Sequence, residues 1–274
     1  MLPRSAALSS AVNRLGRMAG AIGQMLAVAE ADVRKLRHDP LELFTRMVQP
    51  ALWLLIFGQV LARTRAMPTG PVGYVAFVAP GILAQSVLFV AIFYGVSLIW
   101  ERDLGILHKY LVSPAPRYAL VLGRALSSGV RGVSQALVVY ALAAALGVPL
   151  RTTPWDAAGV LSMVMLGSAV FSTFSLLVAC LVKTRERFMG IGQVLTMPLF
   201  FASNAIYPLS LMPDWLHAFA IVNPLTYQVD ALRRLMIEQV PSTFGLATDF
   251  AVQIVALLLL TLLATRLYPR IING

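Results

Sequence analysis

The sequence predicts an all-α integral membrane protein of six transmembrane helices, and three observations carry that expectation. Six apolar stretches of crossing length follow one another, at about residues 41–61, 74–100, 118–146, 157–182, 188–209 and 250–267. Of 274 residues, 58% are hydrophobic and only 12% charged, against roughly 25% charged in a soluble domain, and the mean hydropathy is +0.78. The basic residues gather in alternate connections rather than evenly. A hydrocarbon core about 30 Å thick needs roughly 20 helical residues to cross, and an open strand edge cannot satisfy its backbone in lipid, so each stretch reads as a helix.

Residues 1–40 precede the first span, without an early apolar region followed by a small-residue cleavage site, so no signal peptide is expected. Within them Leu15, Met18, Ile22, Met25, Leu26, Ala29, Val33 and Leu36 recur at helical steps among Arg17, Arg34, Lys35 and Arg37. This pattern fits a helix lying in the membrane interface; a soluble helix packed on a partner subunit is the alternative. Asp39-Pro40 offers a cap and a first-turn proline for the first span. Pro50 in the first span and Pro80-Gly81 in the second should bend those helices.

Orientation follows from the 22 Lys and Arg residues. Sixteen fall on one side: Arg4, Arg14, Arg17, Arg34, Lys35, Arg37, Arg46, Arg102, Lys109, Arg117, Arg124, Lys183, Arg185, Arg187, Arg266 and Arg270. Five fall on the other, Arg63, Arg65, Arg151, Arg233 and Arg234, with Arg131 inside the third span. The positive-inside rule makes the richer side cytoplasmic, with both termini and the loops around Glu101–Pro114 and Lys183–Arg187. The formal charge of +10 then marks the inner face, where anionic lipid attracts basic groups. No basic run is interleaved with aromatics on a soluble face, so no nucleic-acid partner is expected. Residues 41–268 form one six-helix unit and 269–274 a cytoplasmic tail.

Several chemistries are excluded by what is missing. Spans two, four, five and six hold no ionisable residue between their ends, which weakens an ion-coupled carrier, since such groups are costly in lipid and kept for function. Arg131, with Gln135 one turn on, is expected about a turn and a half inside the cytoplasmic end, where its head can snorkel to the interface. No P-loop exists: Lys35 precedes Leu36, Lys109 precedes Tyr110, and Lys183-Thr184 follows Val182. ATP-driven work would fall to a separate chain. No serine, cysteine or paired-carboxylate arrangement marks an intramembrane enzyme, and Asp214, Asp230, Glu238 and Asp249 read as a solvated outer loop. Cys180 stands alone in the fourth span as a small core residue, and His38, His108 and His217 are too scattered for a metal site.

The charged stretch Glu101 to Pro114, caught between two apolar runs, is therefore the feature to explain. Leu104, Leu107, Tyr110 and Leu111 make an apolar stripe flanked by Glu101, Arg102, Asp103, His108 and Lys109. Gly105 lets a partner surface approach the backbone, and Pro114 and Pro116 end the helix. A loop resting on lipid head groups is the alternative on periodicity alone.

Glu101-Arg102-Asp103-Leu104-Gly105-Ile106-Leu107 followed by Leu111-Val112-Ser113-Pro114 resembles the cytoplasmic motif of ABC-2 type exporter permeases, Glu-Arg-Glu/Asp-x-Gly-Thr-Leu-Glu and then Leu-x-x-Ser-Pro. Thr184-Arg185-Glu186 to Met189-Gly190, Pro198 to Pro208, Met212-Pro213-Asp214-Trp215-Leu216 and Asn223-Pro224-Leu225-Thr226-Tyr227 resemble the family's fifth span and outer loop. The chain is most similar to the branch of daunorubicin-resistance and nodulation lipo-oligosaccharide exporters. Ile106 and His108 depart from the usual Thr and Glu.

The resemblance implies a half-transporter: two permease protomers, of this chain or a paralogue, each docked on one of two ABC ATPase subunits that carry the ATP and Mg, with no cofactor on this chain. It implies a coupling helix over 101–113, with Glu101, Arg102, Asp103, Leu104, Gly105, Leu107, His108 and Leu111 at the ATPase interface, braced by the interfacial helix. It also implies two short helices dipping back from the outer face within 210–240, with Pro213 and Pro224 near their starts. Apolar Trp215, Leu216, Phe219, Ile221, Val222 and Leu235 fit such re-entry into protein. Location follows as a bacterial cytoplasmic membrane. An apolar route with few polar groups suits an amphiphile such as a drug, glycolipid or lipid-linked glycan. Gln85, Phe89, Phe93 and Tyr94 on the second span and Phe200, Phe201, Asn204 and Tyr207 on the fifth are the expected lining, with simple packing the alternative for the aromatics. Beside the ATP-driven exporter stand an ion-coupled carrier or channel and a membrane scaffold without transport.

Overall fold

The computed structural model describes residues 40–64, 69, 72–104, 117–182, 184–238 and 240–267. The interfacial helix expected at 15–37, the coupling segment beyond Leu104 and the tail lie outside the described residues. The described chain is helical, without strands. Its elements in order are α1 (Pro40–Leu52), a π-helical segment (Trp53–Gly58), α2 (Gln59–Thr64), α3 (Tyr74–Tyr94), α4 (Val96–Asp103), α5 (Arg117–Ala145), α6 (Pro154–Leu181), α7 (Arg185–Phe201), α8 (Asp214–Val222), α9 (Pro224–Met236) and α10 (Leu246–Leu267).

Four helices among the described residues are long and apolar enough to cross a membrane: Tyr74–Glu101, Val121–Ala145, Pro154–Leu181 and Leu246–Leu267. The expected first and fifth spans take a different form. Helix runs from Pro40 to Thr64 in three pieces, with Pro50 inside α1 and the π-helical segment beginning three residues later. Proline has no N–H for the carbonyl four residues back, and a wide π turn is a common way for a helix to change register. The fifth span was expected to reach residue 209, but α7 has 17 residues and stops at Phe201. Pro198 lies in its last turn, and the Ala202 N–H closes back on the Pro198 carbonyl at 2.8 Å. Pro80, by contrast, sits buried inside an unbroken α3.

Helix α3 is the centre of the bundle, packed on α5, α6, α7 and α9. Ile82, Leu83, Val87 and Leu88 of α3 meet Met163, Val164, Val170 and Phe171 of α6 and Val229 and Leu232 of α9 in one continuous core. Helix α10 is peripheral and turns Ile254, Val255, Leu258, Leu259, Leu262 and Leu263 outward, as an apolar face toward lipid requires. Helix α6 starts at a cap in which the Thr153 hydroxyl accepts the Asp156 N–H at 3.1 Å, followed by Pro154. The α5–α6 connection is tied to the end of α9 by the Arg151 N–H donating to the Met236 carbonyl at 2.8 Å and the Glu238 N–H donating to Pro149 at 3.2 Å.

Between α3 and α4 the only non-helical residue is Gly95, and it marks a close helix crossing. A Cβ there would lie 2.0 Å from the Ser175 hydroxyl oxygen and 2.9 Å from the Phe188 ring, while the Ser175 hydroxyl donates to the Ile92 carbonyl. Gly95→Ala is expected to force α6 and α7 away from α3 and to cost about 1–3 kcal/mol as an overpacked core. Gly73→Ala, which meets nothing within 4 Å, should be neutral. Thermal unfolding of the two detergent-solubilised variants checks this, and equal midpoints would refute the crossing.

Candidate functional site

At the α4 end of the bundle, two ion pairs hold the last turn of that helix. Glu101 pairs with Arg124 of α5, and Asp103 accepts both Nε and a terminal nitrogen of Arg185, at 3.1 and 2.9 Å, from the first residue of α7. The Arg185 guanidinium also covers the Trp100 ring at 3.9 Å, a stacking geometry suited to arginine. Glu101 and Asp103, expected on a coupling helix facing a partner, finish α4 as a continuation of α3 and pair with residues of their own chain. Leu104, 66% exposed, follows at the edge of the described residues; Gly105, Leu107, His108 and Leu111 lie beyond them. The side chain of Arg102 is likewise outside what is described.

Between α1, α3, α4 and α5 lies a cavity of about 440 Å³, lined by Thr45, Gln49, Ser86, Phe89, Val90, Phe93, Tyr94, Ser97, Arg131 and Gln135, within the usual size range of small-molecule sites. Phe89, Phe93 and Tyr94 of the expected path meet here. Gln85 is buried and does not line it. The Ser86 and Ser97 hydroxyls donate to Ile82 and Tyr94 carbonyls of their own helices at 2.8 and 2.7 Å. Arg131 stands in the middle of the 29-residue α5, 8% exposed, with its guanidinium 5.0 Å from the centre of the Tyr94 ring.

Phe200, Phe201, Asn204 and Tyr207 belong elsewhere, in and after the last turn of α7. Phe200 is buried against Trp53, ring centres 5.8 Å apart, Phe201 points outward, and the Tyr207 hydroxyl donates to the Phe201 carbonyl. The turn from Ala202 to Tyr207 presses on α3 at Gly81, where a Cβ would lie 2.3 Å from the Ala205 carbonyl oxygen. The structure thus divides the expected path residues between this turn and the cavity, whose Phe89 and Phe93 lie about two and three helical turns further along α3.

The turn is held by two residues of the α8–α9 region that sequence reasoning did not single out. Asn223 caps α9, its side-chain oxygen accepting the Leu225 N–H at 3.0 Å, and its amide donates to the Leu199 and Ala202 carbonyls at 2.7 and 2.9 Å. These are the carbonyls that a helix end leaves open. Arg233 was counted as a charge of the outer side. It is buried, donating to the Asn204 carbonyl at 2.6 Å and the Phe77 carbonyl at 3.3 Å, over the Phe77 ring at 3.9 Å. Burial pushes its pKa down to about 10 against the opposite pull of Asp230, so it stays protonated at neutral pH. The i, i+3 spacing of Asp230 and Arg233 on an apolar segment was the available signal.

Asp230 and Asp249 are likewise buried, not solvated. One oxygen of Asp230 accepts the Ser242 hydroxyl at 2.7 Å, the Thr243 N–H at 2.7 Å and the Phe244 N–H at 3.1 Å. Ser242 also lies 3.3 Å from Asp249 and accepts the Gly245 N–H at 2.7 Å. A hydroxyl has one hydrogen to give, and here Asp230 receives it at the shorter distance. Gln253, one turn along α10 from Asp249, donates to the Pro224 carbonyl at 2.6 Å. The result is a knot joining the 242–245 loop, α9 and the start of α10.

Among the described residues, a helical bundle with four helices long and apolar enough to cross a membrane, around a cavity bordered by Arg131, is the architecture of an integral membrane protein. The chain belongs to the ABC-2 type transporter family, whose family model matches residues 23–237. It is 30% identical over 207 residues to the transport permease ycf38 of Cyanophora paradoxa, covering 73% of this chain and 70% of that one. It is 26% identical over 201 residues to the daunorubicin resistance ABC transporter permease protein DrrB1 of Streptomyces coeruleorubidus, covering 73% and 70%. To the inner membrane transport permease YadH of Escherichia coli K12 it is 25% identical over 216 residues, covering 75% and 81%. Membership makes the chain a transmembrane transporter subunit of a family that is not itself enzymatic, and implies an ABC ATPase partner.

Proposed function

We propose that the chain is the permease subunit of an ATP-driven exporter that moves an amphiphile out across a bacterial cytoplasmic membrane. ATP and Mg sit on a separate ATPase, one copy for each of two permease protomers. The observation that carries the reading is the clamp at the α4 end. Residues 101–103 come just before the expected coupling segment in the chain, and their pairs with Arg124 and Arg185 tie the end of α4 to α5 and α7. A push from a docked ATPase then moves three helices as a body. Both termini and the clamp lie on the cytoplasmic side in this reading, and α8 and α9 dip back from the outer face.

Gentle solubilisation is expected to bring down an ATPase chain with the protein. Leu104→Asp with Leu107→Asp, charges placed on the apolar stripe, should lower export and permease-stimulated ATP hydrolysis at least about tenfold, since truncating an interface anchor costs 2 kcal/mol or more. An ATPase that never co-purifies, together with a double variant as active as the parent, would sink the proposal.

Buried Asp230 and Asp249 support a second reading, an ion-coupled carrier, because intramembrane carboxylates are usual ion relays. Transport that collapses with the ion gradient while ATP is present would decide for it. The hydrogen bonds to backbone N–H groups around Asp230 favour a structural role instead.

A further inference from the structure

We propose that the cavity between α1, α3 and α5 is the head-group site for an amphiphile in transit whose head is a phosphate-type anion. Arg131 and Gln135 take the anion, and Phe89, Phe93 and Tyr94 take the first part of the apolar chain. The inference rests on the transport reading and adds the charge class of the cargo.

Four observations carry it. Arg131 is the only charged side chain among the described lining residues. Its guanidinium offers five N–H donors in a planar fork that matches a phosphate, so it can bind an anion while also holding neighbours. Gln135 follows at i+4, so both polar heads project from one face of α5 into the same space. The wall on the α3 side is aromatic: the Phe89 and Phe93 rings stack with centres 6.0 Å apart, and Tyr94 lies under the guanidinium. Polar groups on one wall and rings on the other make an amphiphilic cavity.

The test uses the full-length chain in neutral dodecyl maltoside, without any ATPase, with binding read by native mass spectrometry. The probes are dodecyl phosphate, dodecyltrimethylammonium and phosphatidylglycerol. Dodecyl phosphate is expected to bind about tenfold or more tighter than dodecyltrimethylammonium, the scale of a hydrogen bond to a charged group. Arg131→Gln should abolish that preference, Arg131→Lys should keep part of it, and phosphatidylglycerol should not displace the phosphate probe. Should Arg131→Gln lose its monodisperse form, Gln135→Leu and Phe93→Ala decide instead, each weakening the phosphate probe several-fold.

The proposal is overturned by parental binding in the folded variants, by equal affinity for the two dodecyl probes, or by displacement with equimolar phosphatidylglycerol, which would make the cavity a lipid site. Because no ATPase is present, a failed ATP-driven reading leaves this result standing. A failed binding test leaves the co-purification result untouched.

Discussion

Arg233→Ala is expected to lower the stability of the solubilised protein by about 3–5 kcal/mol, the range found when one partner of a buried charged arrangement is removed. The substitution deletes hydrogen bonds to the Asn204 and Phe77 carbonyls and the ring contact with Phe77. It leaves the Asn204 carbonyl without this donor, costing about 1–3 kcal/mol if no water reaches it. A cavity the length of an arginine adds to this. Arg233→Lys should recover only part of the loss, because one ammonium cannot reproduce a fork that reaches two carbonyls beside a ring. Size-exclusion profiles after stepwise heating measure the effect. A parental profile for Arg233→Ala would show that α9 is held to α3 and the 202–207 turn by apolar packing and the Asn223 amide, without the arginine.

Asp230→Ala should be the next most damaging change, at about 2–4 kcal/mol, because one carboxylate oxygen serves the Ser242 hydroxyl and the Thr243 and Phe244 N–H groups, and charge-assisted bonds are the stronger kind. Asp249→Asn should cost under about 1 kcal/mol. The Ser242 hydrogen is given to Asp230, so an amide at 249 can donate to the Ser242 oxygen. The contrast is the test: equal losses from the two variants would mean that Asp249 organises the loop as much as Asp230 does. The same heating profiles read it.

Much of the bundle was legible because its signals are local. Long apolar runs mark the four crossing helices, and the family resemblance put Pro213 and Pro224 near the starts of α8 and α9. The breaks were less legible. Pro50 and Pro80 look alike in sequence, yet one precedes a π-helical segment and the other lies in an unbroken helix packed on all sides. The end of α7 at Phe201 was missed because the apolar run continues past it to Leu209.

For the site, Phe89, Phe93 and Tyr94 were found by type and position, but the polar wall that gives them a use was not. Thr45, Gln49 and Ser97 are unremarkable in sequence and reach the cavity only because α1 and α4 pack beside α3. At the α4 end the charged stretch was conspicuous, and the folded chain divides it. Glu101 and Asp103 turn to Arg124 and Arg185, 23 and 82 residues away, and the exposed apolar edge begins at Leu104.

Composition and periodicity by themselves determined that this is a helical membrane protein, and its motifs pointed to the family. Those properties depend on local content: apolar length, helical repeat and the spacing of a few charged residues. Only the tertiary structure decided what the charges do. Arg131 borders a cavity, Arg233 bridges to Phe77 across 156 positions, and Asp230 and Asp249 close a loop. The physical reason is that the role of a buried charge is set by the donors, acceptors and open volume around it, and here those come from helices far apart in the chain.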